Sequence, residues 1–242
     1  MQSVTGAIAT GFFSNEAFRG YDAAMTNLNL KVRLPVAILI LTFCLPCVAQ
    51  EKQKLTYGIL VDSTGSMRTQ FGEVLLIAKS LGDQLHERGP VSIFDFHSEG
   101  PGHNKNAQPK VRIEASQDAD LLLKAIDQIY IEGGQTTLLD AIEFMRATLN
   151  KQSPDGHKVI ILITDGEDRT SKTTRAQLVE DLRKDKITVF AIGLVQDLKN
   201  GKSKATNLLR TLADETGGRA VILESRTFDI DKLVSELALP QP

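Results

Sequence analysis

The 242-residue chain is poor in the side chains that support several common kinds of function. It has no tryptophan, three tyrosines and two cysteines, and its 28 basic side chains nearly balance its 30 acidic ones. Nucleic-acid binders depend on a basic surface, often with aromatic side chains that stack on bases, so the composition argues against that class. Both cysteines, Cys44 and Cys47, lie in one N-terminal apolar segment. If that segment is removed, the product has neither disulfides nor thiol chemistry.

The N-terminal quarter contains a basic start followed by an apolar stretch. Lys31 and Arg33 lead into the run Leu34–Ala49, which ends in small residues. This order is typical of a secretory signal peptide, and the run is shorter than the roughly 20 residues that cross a bilayer. We therefore expect a secreted or periplasmic protein without a stable membrane span after cleavage.

The signal divides the sequence into three parts. A signal of ordinary length begins at Met25, so we predict that residues 1–24 are a mis-assigned leader and that residues 25–49 are the signal peptide. Cleavage after Ala49 leaves residues 50–242, which we expect to form one domain.

From Leu55 onward, short apolar runs alternate with longer segments whose apolar residues recur three and four positions apart. This alternation predicts a doubly wound, Rossmann-like α/β domain with a mostly parallel central sheet of about six strands flanked by helices. The predicted strands are Leu55–Val61, Val91–Phe96, Val159–Ile163, Ile187–Ile192, Ala220–Leu223 and, as an antiparallel edge strand, Gln108–Glu114. The predicted helices cover about residues 71–88, 121–129, 138–149, 174–184, 204–215 and 227–237.

Oxygen-bearing side chains follow two of the predicted buried strands. Asp62, Thr64 and Ser66 come after the first strand, Asp165 follows the strand at 159–163, and Thr136 lies in a glycine-rich loop between them. Because the carboxyl ends of parallel strands meet at one edge of a sheet, we expect these side chains to converge. Carboxylate and hydroxyl oxygens are hard ligands suited to Mg²⁺.

These segments resemble the metal-ion-dependent adhesion site of the von Willebrand factor type A domain, in particular the related domains of secreted bacterial proteins. That family's pattern is Asp-x-Ser-x-Ser, with a Thr in a second loop and an Asp in a third. Asp62, Ser66, Thr136 and Asp165 match it directly, whereas Thr64 replaces the first Ser and keeps its hydroxyl. The resemblance covers about residues 55–238.

The resemblance implies a non-enzymatic binding module. A divalent cation, Mg²⁺ first and Mn²⁺ or Ca²⁺ as alternatives, would be held by Asp62, Thr64, Ser66, Thr136 and Asp165. A cation bound mostly by neutral hydroxyls remains electron-poor, so we expect its open position to attract an Asp or Glu carboxylate of a protein partner. No catalytic residue is assigned.

Two alternative functions remain open. The segment from Asp62 to Ser66 superficially resembles the Asp-Lys-Thr-Gly-Thr motif of Mg²⁺-dependent aspartyl-phosphate phosphotransferases, in which the aspartate is a nucleophile, although Ser63 stands in place of the Lys. In the second alternative, the metal only braces the loops of a structural envelope module. The four histidines lack the spacing of a zinc site, and we expect His97 and His103 to be ordinary loop residues.

Overall fold

Six strands form one sheet in the computed structural model, which describes residues 55–97 and 108–240. The predicted leader, the predicted signal peptide and His103 lie outside the described residues. The strands are β1 (Leu55–Asp62), β2 (Val91–Phe96), β3 (Lys110–Ser116), β4 (His157–Thr164), β5 (Ile187–Leu194) and β6 (Ala220–Leu223). Their spatial order is β3-β2-β1-β4-β5-β6, with β3 antiparallel to β2 and the other neighbours parallel. The predicted mostly parallel sheet with one antiparallel edge strand is confirmed.

Six α-helices flank this sheet among the described residues. They are α1 (Phe71–Leu85), α2 (Ala119–Asp127), α3 (Leu138–Gln152), α4 (Arg175–Lys184), α5 (Lys202–Thr216) and α6 (Ile230–Glu236). A short 3₁₀ helix, Gly65–Gln70, precedes α1. The last helix starts later than predicted because the Asp229 side chain caps it, accepting a hydrogen bond from the backbone N–H of Lys232 at 3.0 Å. Among the described residues, none of the helices is both long and apolar enough to cross a bilayer.

The helices form two layers because β1 is buried on both faces. Tyr57 and Ile59 pack into the core shared with α1, α2 and α6, whereas Leu60 packs into the core shared with α3, α4 and α5. Gly58 faces α3 at close range, since a Cβ added there would lie 2.5 Å from the sulfur of Met145. This packing fixes the position of β1, and with it the loop that follows.

The order in which the chain adds strands to the sheet reverses between the parallel neighbours β1 and β4. β1 pairs with β2 on one side and with β4 on the other, so the connections that leave the two strands run to opposite sides of the sheet. Such a reversal leaves a crevice beyond the carboxyl ends of the two strands, where open α/β sheets bind their ligands. Val61 pairs with Ile163, which places Asp62 and Thr164 at the same level on the rim of this crevice.

Candidate metal centre

The first loop turns its three oxygen-bearing side chains toward one another. Thr64 donates both its backbone N–H and its hydroxyl to Oδ1 of Asp62, at 3.0 and 2.6 Å. The hydroxyl oxygens of Thr64 and Ser66 are 3.0 Å apart. Asp62 and Thr64 are fully buried, whereas Ser66 is exposed. The Asp-x-Thr-x-Ser segment therefore forms a compact set of oxygen atoms that opens to solvent at Ser66.

The loop after β4 completes the environment of Asp62. The Thr164 hydroxyl donates to Oδ2 of Asp62 at 2.6 Å and accepts a hydrogen bond from the N–H of Gly166 at 3.0 Å. Oδ1 of Asp165 accepts from the N–H of Glu167 at 2.9 Å, but its buried Oδ2 has no hydrogen-bond partner among the described residues. The sequence reasoning missed Thr164, although its place at the end of β4, level with Asp62 across a parallel pair, was a usable signal.

The loop from Glu132 to Thr137 connects the other two loops. Its glycines, Gly133 and Gly134, both have positive φ, and a Cβ on Gly65 would lie only 3.8 Å from the Cα of Gly133. The carbonyl of Thr136 accepts a hydrogen bond at 3.0 Å from the N–H of Arg169 in the third loop. Thr136 is buried at this junction. The structure thus brings Asp62, Thr64 and Ser66 into direct contact and joins Thr136 to the third loop through its backbone.

The centre contains two buried carboxylates, and neither has a directly paired cation among the described residues. Burial first, and the charge of Asp165 second, raise the pKa of Asp62 to about 7 against the lowering effect of the threonine hydrogen bonds. Burial also raises the pKa of Asp165, while a hydrogen bond from Ser66 opposes the rise. Neither aspartate forms an ion pair with a basic side chain in the described part of the chain. The charge of Arg169 lowers the pKa of Asp165, but Arg169 is itself paired with Glu167.

These residues fit a divalent cation. Two carboxylates and three hydroxyls offer only oxygen atoms, the ligand type preferred by Mg²⁺, Mn²⁺ and Ca²⁺. The unpartnered Oδ2 of Asp165 is a buried acceptor that a cation would satisfy. A cation would also supply the charge that the buried pair lacks.

A second cluster beside the centre differs because it contains its own cations. Oxygen and nitrogen atoms of Asp95, His97 and Glu132 lie within 4.8 Å of one another. Arg112 donates hydrogen bonds to both carboxylate oxygens of Asp95, one of them at 3.0 Å through Nη2, and Lys110 pairs with Glu132. Because these acids are already neutralised, the cluster is an ion-pair network and not a second metal site. His97 follows β2, as expected of a loop residue, but it is buried against Glu132 at 3.1 Å.

Comparison with known proteins agrees with the fold. The sequence profile of the von Willebrand factor type A domain matches residues 58–236. An uncharacterised protein of Bacillus subtilis (strain 168), YwmC, is 24% identical over 203 residues, which are 78% of this chain and 86% of that protein.

Solved structures share the architecture at low identity. A von Willebrand factor type A structure from Catenulispora acidiphila has a TM-score of 0.55 at 19% identity and covers 76% of this chain, which spans 41% of that protein. Manganese-loaded TRAP protein of Plasmodium vivax has a TM-score of 0.57 at 18% identity over 76% of this chain and 71% of that one. At such identities the likeness shows the fold.

Proposed function

Because the chain belongs to the von Willebrand factor type A domain family over residues 58–236, we propose that it is an extracytoplasmic module that binds a protein partner through a divalent cation. The proposed ligands, some acting through water, are Asp62, Thr64, Ser66, Thr136 and Asp165. The extracytoplasmic setting rests on the signal peptide predicted at residues 25–49.

The observation that carries this proposal is a buried carboxylate pair that has no basic partner among the described residues. Asp62 is fully buried, Asp165 is 1% exposed, and one oxygen of Asp165 has no hydrogen-bond partner. Ionised groups in such surroundings are costly unless a cation compensates them. Mg²⁺ is the first expectation and Mn²⁺ the second, since the structural relative from Plasmodium vivax is loaded with manganese.

The partner would approach from the side of Ser66 and Asp165. These two residues line an open cavity of about 290 Å³ at the rim of the sheet, whereas Asp62 and Thr64 lie fully buried. A bound cation supplies a positive charge to which an incoming carboxylate is attracted. Because three of the five proposed ligands, Thr64, Ser66 and Thr136, are neutral hydroxyls, the cation remains electron-poor, and an acidic side chain of a partner protein fits its open position.

The same burial argues against the phosphotransferase alternative. An aspartate nucleophile must be reached by its substrate, whereas Asp62 is fully buried. Oδ1 of Asp62 accepts two hydrogen bonds from Thr64, and Oδ2 accepts one from Thr164. We therefore propose a non-catalytic role.

A pull-down tests the proposal. The purified chain is immobilised and exposed to extracytoplasmic proteins with Mg²⁺ or with EDTA, and retained proteins are identified by mass spectrometry. Retention should be lost in EDTA and in Asp165→Asn, but not in the control Glu180→Gln, which alters an exposed acid on α4 that lines neither cavity at the centre. Retention that persists in EDTA would leave only a bracing role for the metal. Hydrolysis of a generic phosphate ester that disappears in Asp62→Ala would instead favour the enzyme.

A further inference from the structure

Two cavities lie side by side at the rim of the sheet. The cavity at Ser66 and Asp165 measures about 290 Å³. A larger cavity of about 780 Å³ lies beside it, between the loop after β4 and the first turns of α4 and α5. Glu167 and Arg169 line both cavities, so the two share a wall. We call this pair of adjacent cavities the rim groove and define it by Ser66, Asp165, Glu167, Arg169, Arg175 and Lys204.

The far end of the rim groove carries positive charge that the protein does not use. Arg175 and Lys204 both line the larger cavity and are exposed. Neither side chain forms a hydrogen bond or an ion pair with any residue that the structure describes. Glu167 pairs with Arg169 at 2.5 Å, whereas Asp168 accepts only from a neutral hydroxyl, that of Ser171, at 2.5 Å. The larger cavity is thus lined by three basic and two acidic side chains, which leaves a net positive charge. Two cations at one end of a groove suit a carboxylate.

Between the charged ends, the larger cavity offers apolar contact. Leu139, at the start of α3, and Leu208, on α5, are among its lining residues, and both are mostly buried. A volume of about 780 Å³ lies within the range of small-molecule and peptide side-chain pockets and exceeds what one carboxylate fills. The cavity therefore has room for an apolar side chain beside an acidic one.

From these features we infer that the partner presents a segment with two acidic side chains flanking an apolar one. The first acid lies on the cation, the chain passes over the Glu167–Arg169 pair, the apolar side chain packs near Leu208, and the second acid meets Arg175 and Lys204. This inference rests on the proposed function and adds the chemistry of the partner. Charge complementarity, and the position of the larger cavity next to the metal centre, favour this occupant over an uncharged one.

The experiment is a selection from a phage-displayed pool of short random peptides on the full chain in Mn²⁺, with EDTA elution. We expect the enriched peptides to contain a second acid at a fixed distance from the first, with an apolar residue between them. One enriched peptide is then synthesised together with a version in which the second acid is replaced by its amide. Their affinities are measured by fluorescence polarisation.

Charge reversal in the rim groove tests whether the second acid of the peptide binds at Arg175 and Lys204. Arg175→Glu combined with Lys204→Glu should weaken the two-acid peptide roughly tenfold, because two exposed ion pairs are lost, and should leave the amide peptide unchanged. The matched controls are Lys202→Glu on α5 and Arg183→Glu on α4, which reverse cations that do not line the cavity. Both controls should leave both peptides unchanged.

Each contrary result has a distinct meaning. Enriched peptides with a single acid, or a double variant that weakens both peptides equally, would overturn the two-acid partner and leave metal-dependent binding intact. Peptides that stay bound in EDTA would overturn both proposals. Mn²⁺-dependent dimerisation in analytical ultracentrifugation that the double variant abolishes would identify the occupant as a second copy of the chain, which also overturns the inference.

Discussion

Asp62 and Asp95 allow one substitution to be compared at two equally buried carboxylates. Each is 0% exposed, at or near the carboxyl end of neighbouring strands β1 and β2. Asp62 has no basic partner in the described part of the chain, whereas Arg112 pairs with Asp95 through two of its nitrogens. We predict that replacing each aspartate by asparagine has opposite effects on the free energy of unfolding of the metal-free protein.

The magnitude at Asp62 follows from its pKa of about 7, compared with 3.8 for an unperturbed aspartate. At about 1.4 kcal/mol per pH unit, ionised Asp62 opposes folding by about 4 kcal/mol near neutral pH. Asparagine removes this charge but is a poorer partner for the Thr164 hydroxyl, which costs about 1 kcal/mol. The net effect is a stabilisation of about 3 kcal/mol.

At Asp95 the same change leaves the Arg112 guanidinium, which is 13% exposed, without its two-nitrogen partner and with only the longer pair to Glu132 at 3.7 Å. Removing one member of a buried ion pair costs about 3–5 kcal/mol. Added Mg²⁺ should also change the free energy of unfolding of the wild type and of Asp62→Asn by different amounts. At a hundredfold excess over its dissociation constant it stabilises the wild type by about 2.7 kcal/mol, and it should leave Asp62→Asn unchanged.

The assay is urea-induced unfolding near neutral pH, in EDTA and in Mg²⁺, followed by circular dichroism. Equal slopes against urea would show that only stability has changed. If Asp62→Asn destabilises the metal-free protein as Asp95→Asn does, the argument from an uncompensated buried charge is refuted.

Three further predictions concern pH, backbone and processing. Because folding raises the pKa of Asp62, the metal-free folded state holds a proton that the unfolded state releases. The melting temperature of the metal-free protein should therefore fall as the pH rises from about 4 to 7, and Mg²⁺ should make this pH dependence smaller. In Gly166→Ala the backbone has φ +78° and the new Cβ lies 3.0 Å from Leu209, whereas the control Gly201→Ala has a similar φ of +76° but open space around its Cβ. Gly166→Ala should therefore weaken Mg²⁺ binding in titrations and lower stability more than Gly201→Ala. Equal losses in the two variants would contradict this. N-terminal sequencing should find a precursor starting at Met25 and a product starting at Gln50, and a precursor starting at Met1 would disprove the reassigned start.

The buried strands and the rim between them could be predicted from the sequence because their signals are local. The runs that became β1 and β4 are mostly apolar and each ends at a hydroxyl or carboxylate, which is how a strand buried on both faces and its exit appear in a sequence. Parallel strands then fix where their ends meet, and the predicted approach of the third loop to Asp62 depended on this geometry. Asp62, Thr64 and Ser66 lie within one short loop, so their proximity is local in the sequence.

The ion-pair network could not be predicted in the same way because it depends on non-local register. Arg112 reaches Asp95 only because β3 folds back antiparallel on β2, and this pairing contains irregularities near Ile93. β3 also runs to Ser116, two residues beyond the predicted end, because Ser116 still pairs with Val91. No spacing in the sequence connects Asp95 to Arg112 or to Glu132.

The loop after β1 contacts two buried aspartates with different roles. Asp95 is paired within the protein, whereas Asp62 belongs to the candidate metal centre. Its side chains alternate, so that Thr64 bonds to Asp62 while the Ser63 hydroxyl between them donates to Asp95 at 3.2 Å. The aspartate on the Ser63 side is neutralised by the protein's own Arg112, so its charge balance is fixed on folding. Asp62 receives no such cation from the described residues, and its ionisation therefore depends on what binds. The position of Ser63 also bears on the phosphotransferase motif, since the side chain that replaces the motif's lysine points to Asp95 and not to the candidate metal centre.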